Sequence, residues 1–356
     1  MKNNYCIIMA GGIGSRFWPM STSEKPKQFL DILGVGRTLI QQTYDRFANI
    51  CPVENIYVVT NEVYKDLVID QLQINPQQVI AEPLRRNTAP CIAYASFKIA
   101  ALNPDANLIV APSDHLILNQ PEYEKIMGLA LNQAMSEDCL ITLGIKPSRP
   151  DTGYGYIQFI EANNEQSGLI KKVKTFTEKP DLTLAEEFLE SGDFYWNGGI
   201  FIWTAKSIMN ALEGLLPEVY NLFKEGEGKY NTAEEAAFIA NAYERCKNIS
   251  IDYGVMEKAE NVYVVLSDFG WSDLGTWGSL YDNLNKAEGG NAVVGKKVFM
   301  YNSSNCIVNI PDDKLVILQG LDDYIVVQSE DTLLICKKAD EQKIKDMVSE
   351  VNGHAK

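Results

Sequence analysis

A glycine-rich turn near the N-terminus is the most constraining feature of the sequence. The apolar residues 5–10 predict a buried strand, which leads directly into Gly11-Gly12-Ile13-Gly14-Ser15-Arg16. Because glycines lack a Cβ, successive backbone N–H groups can face one concavity and approach an anion closely. Arg16, with Lys27 a few residues further on, adds positive charge. The turn therefore predicts a phosphate site.

The spacing of this turn differs from that of two well-known glycine loops. A dinucleotide-binding loop has the pattern G-x-G-x-x-G, and a P-loop has G-x-x-x-x-G-K-[ST]. Here the third glycine comes too early for either pattern, and the turn is followed by Arg16 and lacks the lysine and the serine or threonine of a P-loop. Both differences weigh against a nicotinamide enzyme or an ATPase. A tight turn with Arg16 in solvent also explains the glycines, so the loop alone leaves both interpretations open.

Composition sets broader limits. The chain has 356 residues, 46% of them hydrophobic, which predicts one large domain and a smaller one. A formal net charge of −15 disfavours nucleic acid and acidic membranes as partners, so a polyanion needs locally clustered cations. No apolar run approaches ~20 residues and no signal-peptide pattern is present, so we expect a soluble, cytoplasmic protein. The 7 cysteines show no C-x-x-C pair, which predicts buried, reduced thiols.

The chain divides into two parts by pattern. Over residues 1–285 strands alternate with helical stretches, which predicts an α/β domain with helices on both faces; a capping-box pattern at Thr183 predicts the start of one helix. Over residues 286–356, short β-rich runs alternate with acidic turns roughly every ten residues, which predicts a small β-solenoid-like domain. The chain ends with a predicted amphipathic helix whose apolar face carries Ile344, Met347, Val348 and Val351.

Two acidic residues are candidate metal ligands. Asp114 follows a predicted buried strand over residues 107–111, and Asp273 follows another over residues 262–266. Open α/β sheets bind ligands at such strand ends. Mg²⁺ needs only one or two carboxylates, since water and substrate phosphates fill its other positions. For an isolated Asp, however, a turn or a helix cap is the commoner explanation.

Three further segments suit a ligand rich in hydroxyl groups. They contain Gly155, the pair Glu178-Lys179 and the pair Asn197-Gly198. A carboxylate and an amide can bind neighbouring hydroxyls, and a lysine can reach a phosphate as a point charge. Hairpin and turn formation explains the same glycines taken singly. The segment Asn87-Thr88-Ala89-Pro90 precedes an apolar helical stretch, and a helix cap is its simplest local explanation.

The residues after the glycine turn carry a family resemblance. Arg16-Phe17-Trp18-Pro19-Met20-Ser21 and Pro26-Lys27-Gln28-Phe29-Leu30 resemble the opening signature of the sugar-1-phosphate nucleotidylyltransferases, specifically the mannose-1-phosphate guanylyltransferase family. Thr22-Ser23 replaces the Arg-Glu pair that is usual there, which removes one cation beside the loop. The resemblance spans nearly the whole chain. It implies a nucleotidylyltransferase-type, Rossmann-like mixed sheet flanked by helices, with a small C-terminal β-solenoid-like domain and a terminal helix.

The resemblance also implies roles for individual residues. Mg²⁺ is expected on Asp114 and Asp273, and the expected catalytic residues are Arg16, Lys27 and Lys179. The expected sugar-phosphate ligands are Gly155, Glu178, Lys179, Asn197 and Gly198. The expected nucleotide ligands are Ala10, Gly11, Gly12, Gly14, Ser15, Arg16, Lys27, Asn87, Thr88, Ala89, Pro90 and Asp114. A segment containing Asp252 and Glu257 resembles a family motif near the sugar, but a capped helix start explains it equally well.

The implied reaction transfers GMP from GTP to mannose 1-phosphate by direct in-line attack and releases pyrophosphate. The chain has 2 histidines and no Ser-His-Asp pattern, so no covalent nucleophile is expected. Two alternatives remain open: a sister enzyme using another hexose 1-phosphate or NTP, and a non-catalytic regulatory subunit that binds nucleotide sugars. The family further implies a homodimer. Larger relatives carry an isomerase domain that this sequence lacks, so we expect no isomerase activity.

Overall fold

The computed structural model describes residues 2–12, 14–161 and 168–354. Its chain forms two compact units that alternate along the sequence. The sheet unit comprises Met1–Gly11, Tyr44–Pro112 and Ile117–Trp271, and the solenoid unit comprises Gly12–Thr43, Ser113–Leu116 and Ser272–Lys356. These units follow contacts in space, so the sequence boundary near residue 285 stays a prediction.

Nine strands of the described chain form the mixed sheet of the sheet unit, in the order β3-β2-β1-β4-β9-β6-β10-β8-β7. Strand β1 is parallel to β2 and β4, whereas β9 is antiparallel to β4 and β6, which confirms the mixed sheet expected from the sequence. The strands as far as Ser272 are β1 (Asn4–Met9), β2 (Ile56–Asn61), β3 (Val79–Glu82), β4 (Asn107–Pro112), β5 (Leu116–Ile117), β6 (Leu140–Ile145), β7 (Gly155–Phe159), β8 (Ile170–Glu178), β9 (Phe194–Thr204), β10 (Val262–Ser267) and β11 (Trp271–Ser272).

Helices cover both faces of this sheet. Along β1, Tyr5 and Ile7 join a buried cluster with several helices on one face, while the alternating Cys6 and Ile8 are fully buried on the other. Tyr123 of α4 lies near Cys6. The helices of the described chain are α1 (Leu39–Ala48), α2 (Lys65–Leu72), α3 (Thr88–Ala100), α4 (Gln120–Ser136), α5 (Leu182–Ser191), α6 (Ala205–Leu215), α7 (Pro217–Lys224), α8 (Glu235–Arg245), α9 (Trp277–Asn283) and α10 (Ile344–His354).

The start of α5 corrects one detail of the sequence analysis. The helix forms as expected, but Thr183 is not its cap. Asp181 is the N-cap, because its Oδ1 accepts a hydrogen bond from the backbone N–H of Leu184 at 2.9 Å. The helix therefore begins one residue before Thr183, at Leu182, and ends at Ser191, where Gly192 follows in the left-handed conformation.

Parallel strands stack in the solenoid unit, as the β-rich runs predicted. Strands β12, β14 and β16 pair in parallel, β17 closes this sheet as an antiparallel strand, and β13 pairs in parallel with β15. Successive strands of one sheet are thus separated by a strand of the other, which is the pattern of a β-helix. The strands are β12 (Ala292–Val294), β13 (Val298–Tyr301), β14 (Ile307–Asn309), β15 (Val316–Gln319), β16 (Tyr324–Ser329) and β17 (Thr332–Lys337).

The terminal helix α10 contributes to the core of this unit with only part of its predicted apolar face. Ile344 is fully buried in a cluster with Phe17 and Trp277, and Val348 packs against that cluster. Met347 and Val351 remain exposed. The core contact expected of this helix therefore lies at its first turns.

One expectation about chemistry is also met by the described chain. All 7 cysteines are buried and free of disulfide bonds. No helix in the described ranges combines the length and apolar character needed to cross a membrane.

The corrected cap gives a direct test. Replacing Asp181 by Ala removes the side chain that accepts from Leu184, so we expect the free energy of unfolding to fall by about 1 kcal/mol. Thr183→Ala alters an exposed residue with no capping role and should change it by less than about 0.5 kcal/mol. Urea denaturation of both variants measures the difference. Equal losses in the two variants would show that Asp181 is not the cap.

Candidate active site

The buried side chain of Lys27 connects three parts of the solenoid unit. Its Nζ pairs with Asp114 Oδ2 at 2.7 Å, and its side chain is only 5% exposed. The same ammonium donates hydrogen bonds to the carbonyl oxygens of Asp273 at 2.9 Å and Leu274 at 3.0 Å. A lysine ammonium has three N–H donors, so each of them has an acceptor here. Lys27 thereby holds the loops that carry the two predicted metal ligands.

The local backbone explains how this lysine comes so close. Gly14 has φ +68°, and a Cβ at that position would lie 2.4 Å from the Cβ of Lys27. A Cβ at Gly275 would lie 2.5 Å from Asp273 Oδ2, and the Gly275 N–H donates to Asp273 Oδ1 at 3.0 Å. Buried Leu274 adopts φ +44°, a conformation that costs about 1–3 kcal/mol. The bond from its carbonyl to Lys27 compensates part of that cost.

Apart from Leu274, the same residues line one cavity of about 270 Å³ within the solenoid unit. Five predicted site residues meet there although they come from three distant segments. Burial raises the pKa of Asp114, but the charges of Lys27 and His115 outweigh burial and hold that pKa below its ordinary value. Asp114 is therefore ionised at neutral pH. The cavity is lined by Gly14, Arg16, Phe17, Lys27, Asp114, His115, Asp273, Gly275 and Lys345.

The donor set of this cavity fits Mg²⁺. Asp114 and Asp273 offer carboxylate oxygens, which are the ligands that Mg²⁺ prefers. The described ranges contain no group of three or more His, Cys, Asp or Glu that could hold a metal by themselves. A metal at the two Asp side chains would therefore complete its coordination with water and substrate oxygens.

The other predicted nucleotide ligands near the glycine turn differ in exposure and in hydrogen bonding. Arg16 is exposed, and no hydrogen-bond or ion-pair partner is seen for it among the residues that the structure describes. Gln28 Nε2 donates to the carbonyl of Gly12 at 2.9 Å and so fixes the turn. Ile13 and the side chain of Ser15 lie outside the described residues.

The remaining predicted nucleotide ligands belong to the sheet unit. Ala10 continues β1, with its N–H donating to Val59 O at 2.7 Å. Asn87 has φ +68°, and its side chain accepts from the N–H of Thr88 at 2.9 Å, so the helix cap expected from the sequence is confirmed. Thr88 Oγ1 accepts from the N–H of Ile251 at 2.9 Å, which anchors the segment. Ala89 and Pro90 are buried in the first turn of α3.

Glu82 is a polar residue beside the glycine turn that the sequence analysis did not select. It ends β3, and a Cβ at Gly11 would lie 3.9 Å from its Oε2. Tyr243 Oη donates to its Oε1 at 2.8 Å. Burial raises the pKa of Glu82 to about 7, against the opposing effect of that hydrogen bond. A carboxylate at the end of a buried strand was the available signal, as it was for Asp114.

The predicted sugar-phosphate ligands form a second polar cluster, in the sheet unit, and the side chain of Asn197 makes three hydrogen bonds there. Its Oδ1 accepts from Thr142 Oγ1 at 2.8 Å and from the N–H of Gly199 at 3.2 Å. Its Nδ2 donates to Asp252 Oδ1 at 2.9 Å. These bonds fix the orientation of the amide. The neighbouring position 198 requires glycine for a structural reason, since a Cβ there would lie 2.9 Å from Leu143 O.

Gly155, Glu178 and Lys179 lie together in this cluster. Gly155 is opposite Glu178 in the β7–β8 pair, and a Cβ at Gly155 would lie 2.4 Å from Glu178 Oε2. Lys179 pairs with Glu178 Oε1 and has φ +48°. Its side chain is 58% exposed, whereas that of Glu178 is 8% exposed. The lysine is therefore accessible to a ligand, and the glycine is required for the carboxylate to lie where it does.

Asp252 and Glu257, whose roles the sequence left open, both join this cluster. Glu257 Oε1 accepts from the N–H of Glu178 at 3.2 Å. Burial, and then the charge of Glu178, raise the pKa of Asp252 to about 6. Asp252 begins a π-helical turn, Asp252–Met256, and Glu257 follows it. Ser250 Oγ accepts from the N–H of Tyr253 at 3.2 Å, so the capped helix start expected from the sequence is also present. For Asp252 and Glu257, the resemblance to a family motif was the signal in the sequence, since their long-range contacts leave no local pattern.

The chain is similar to known proteins along nearly its whole length. It matches the family described as "Nucleotidyl transferase" over residues 5–289 and the "MannoseP isomerase/GMP-like beta-helix domain" over residues 296–351. It is 37% identical to a mannose-1-phosphate guanylyltransferase from Klebsiella pneumoniae and 36% identical to one from Escherichia coli. Each alignment covers 96% of this chain and 72% of the relative.

A solved structure adds the same likeness in three dimensions. A crystal structure of a protein named mannose-1-phosphate geranyltransferase, from Thermus thermophilus, has a TM-score of 0.88 and 28% sequence identity, and covers 98% of this chain and 99% of its own. Because the fold and the family matches agree, the class is defined. The chain is an enzyme of the nucleotidyl transferase type. Within that class, it belongs to the mannose-1-phosphate guanylyltransferase family.

The pKa of Asp252 predicts a dependence of stability on pH. The folded protein keeps its Asp252 proton up to about pH 6, whereas the unfolded chain loses it near the ordinary value of 3.8. Between these values the folded state binds more protons, so the free energy of unfolding falls as pH rises. Asp252→Asn keeps an acceptor for Asn197 and removes the ionisation. The variant should lose less stability between pH 4 and 6, and should be about 1–2 kcal/mol more stable than wild type at pH 7. Urea denaturation at both pH values tests this; parallel losses in the two proteins would contradict it.

Proposed function

We propose that this enzyme transfers GMP from GTP to mannose 1-phosphate, giving GDP-mannose and pyrophosphate. The observation that carries the proposal is the cavity in which Lys27 joins Asp114 to the Asp273 loop beside Gly14 and Arg16. A site with clustered cations, a glycine turn and two carboxylates suits a metal-bound polyphosphate. The guanylyltransferase names of the relatives support the choice of base and sugar.

The phosphate chain of the nucleotide is assigned to this cavity. Asp114 and Asp273 would hold Mg²⁺, which when bound neutralises phosphate charge and polarises the reacting phosphoryl group. Arg16 is exposed beside the cavity and can form charge-assisted hydrogen bonds to phosphate oxygens. Lys27 contributes positive charge, and because its three donors are engaged it also orders the two acidic loops.

The nucleobase is assigned to Gly11 and the start of α3. Glu82 Oε2 faces Gly11, and guanine presents N–H donors that a carboxylate accepts well. Asn87 is exposed and held at positive φ, where its position is set by the helix it caps. These features support a nucleobase whose edge carries N–H donors.

The mannose phosphate is assigned to the cluster around Asn197 and Glu178. A fixed amide and a carboxylate suit neighbouring hydroxyl groups, and Gly155 leaves the space in which the Glu178 carboxylate lies. Lys179 is more than half exposed and can leave Glu178 to bind the sugar's phosphate. Asp252 orients Asn197 from the other side.

The reaction needs no covalent enzyme intermediate. A phosphate monoester has a second pKa of about 6, so the oxygen of mannose 1-phosphate is already an anionic nucleophile at pH 7. It attacks the α-phosphorus of GTP in line, a new P–O bond forms, and the bond from the α-phosphorus to the bridging oxygen breaks, so that pyrophosphate leaves with the electron pair. The residues of the chain position the two substrates and neutralise charge, which are the main contributions to phosphoryl transfer. A homodimer stays a prediction.

The direct test supplies the purified chain with GTP, mannose 1-phosphate and Mg²⁺. We expect GDP-mannose and pyrophosphate in equal amounts, measured by liquid chromatography and a coupled pyrophosphate assay. A panel of other NTPs and hexose 1-phosphates examines the sister-enzyme alternative. A faster reaction with another pair would reject the proposed substrates, and absence of product with every pair would reject the activity.

Matched variants test the carboxylates in the same assay. Asp273→Asn keeps the oxygen that accepts from Gly275 but removes the charge, so kcat/KM should fall roughly 100-fold or more. Asp268→Asn, an exposed change between β10 and β11, should leave kcat/KM near the wild-type value. Circular dichroism confirms that both variants are folded. Equal turnover in the two would remove Asp273 from the metal site.

A further inference from the structure

The cavity of the solenoid unit contains one cation that the proposed reaction has not used. Lys345, the second residue of α10, lines it together with Arg16, Lys27 and both acidic residues. No sequence pattern pointed to it, because it lies more than 300 residues from the glycine turn. Its position must therefore be explained by the fold.

The start of α10 is fixed against the residues that follow the glycine turn. Ile344 is fully buried, in the same cluster as Phe17 and Trp277. One turn earlier, Glu341 Oε2 accepts from the N–H of Gly278 at 2.8 Å, at the beginning of α9. These contacts hold the backbone just before Lys345, and Val348, one turn further along, packs against the same cluster, so the side chain of Lys345 is presented to the cavity by an ordered helix.

The three lysine and arginine side chains that line the cavity differ in whether their N–H donors already have partners in the protein. Lys27 is buried and uses all three donors within the protein. Arg16 and Lys345 are both exposed, and no partner is seen for either in the described part of the chain. An incoming anion would therefore meet the charges of Arg16 and Lys345 first.

Charge balance gives these two residues a purpose. The two negative charges of Asp114 and Asp273 balance the positive charge of Lys27 and one of the two positive charges of a divalent metal. The terminal phosphate of a nucleotide alone carries about −1.5 to −2 at pH 7. The chain as a whole has a net charge of −15, so its general field repels such a ligand. Free cations at the mouth of the cavity are then needed for binding.

We propose that Lys345 binds the phosphate chain of the nucleotide and the pyrophosphate produced from it. This assignment rests on the proposed function for the choice of ligand, and on the cavity for the residue. The terminal helix thus supplies a phosphate ligand to the cavity that Gly14 and Arg16 also line, and the solenoid unit has a direct part in substrate binding. Lys345 is a binding residue for the leaving group, and no proton passes through it.

The test titrates inorganic pyrophosphate with Mg²⁺ into the full chain by isothermal calorimetry. Lys345→Ala should bind pyrophosphate about tenfold more weakly than wild type, and Lys345→Arg should stay within about threefold. Lys343→Ala removes an exposed cation two residues away, paired with Asp340 and outside the cavity lining, and should bind as wild type does. In steady-state assays, Lys345→Ala should raise the KM for GTP by a similar factor and leave that for mannose 1-phosphate unchanged.

Several results would overturn the assignment. Equal pyrophosphate affinity in wild type and Lys345→Ala would do so, as would an equal loss in Lys343→Ala, which would indicate a general effect of surface charge. Lack of pyrophosphate binding by wild type would also overturn it. If wild type fails to make GDP-mannose but the affinity difference persists, the proposed substrates fail while the role of Lys345 stands. Unchanged melting temperatures identify the effect as local.

Discussion

The ammonium group of Lys27 is the contact on which the site in the solenoid unit depends. It brings a carboxylate and two carbonyl oxygens from residues far apart in sequence to within 3.0 Å of one nitrogen. Because the lysine is buried, loss of one partner would leave an uncompensated charge, which typically costs about 3–5 kcal/mol. The same contact holds Leu274 in an unfavourable backbone conformation and requires a glycine at position 14. Order in the acidic loops is thus a property of the fold, present before any substrate arrives.

Some parts of this arrangement could be predicted from the sequence because their signals are local. Asp114 and Asp273 each follow a short apolar run, and such runs end at the edge of a sheet where ligands bind. The β-rich runs near the C-terminus predicted the solenoid for the same reason, since strand period and acidic turns are visible in a few residues. The family resemblance then supplied roles that no local pattern could give.

Other parts depend on contacts that no window of sequence contains. Lys345 reaches the cavity only because Ile344 is buried beside Phe17, and Asp252 acquires its raised pKa only from burial in the cluster with Asn197 and Glu178. At α5, the sequence predicted a cap at Thr183, whereas Asp181, two residues earlier, caps the helix. Long-range burial decides the first two cases, and backbone geometry at the helix start decides the third.

A double-mutant cycle between Lys27 and Asp114 measures the interaction that organises this site. Lys27→Met, Asp114→Asn and the double variant are unfolded in urea beside wild type, and the coupling energy is the difference between the double change and the sum of the single ones. We expect each single change to cost about 3 kcal/mol or more, and the coupling energy to be at least about 1 kcal/mol. A coupling energy within about 0.3 kcal/mol of zero would contradict a site held together by Lys27.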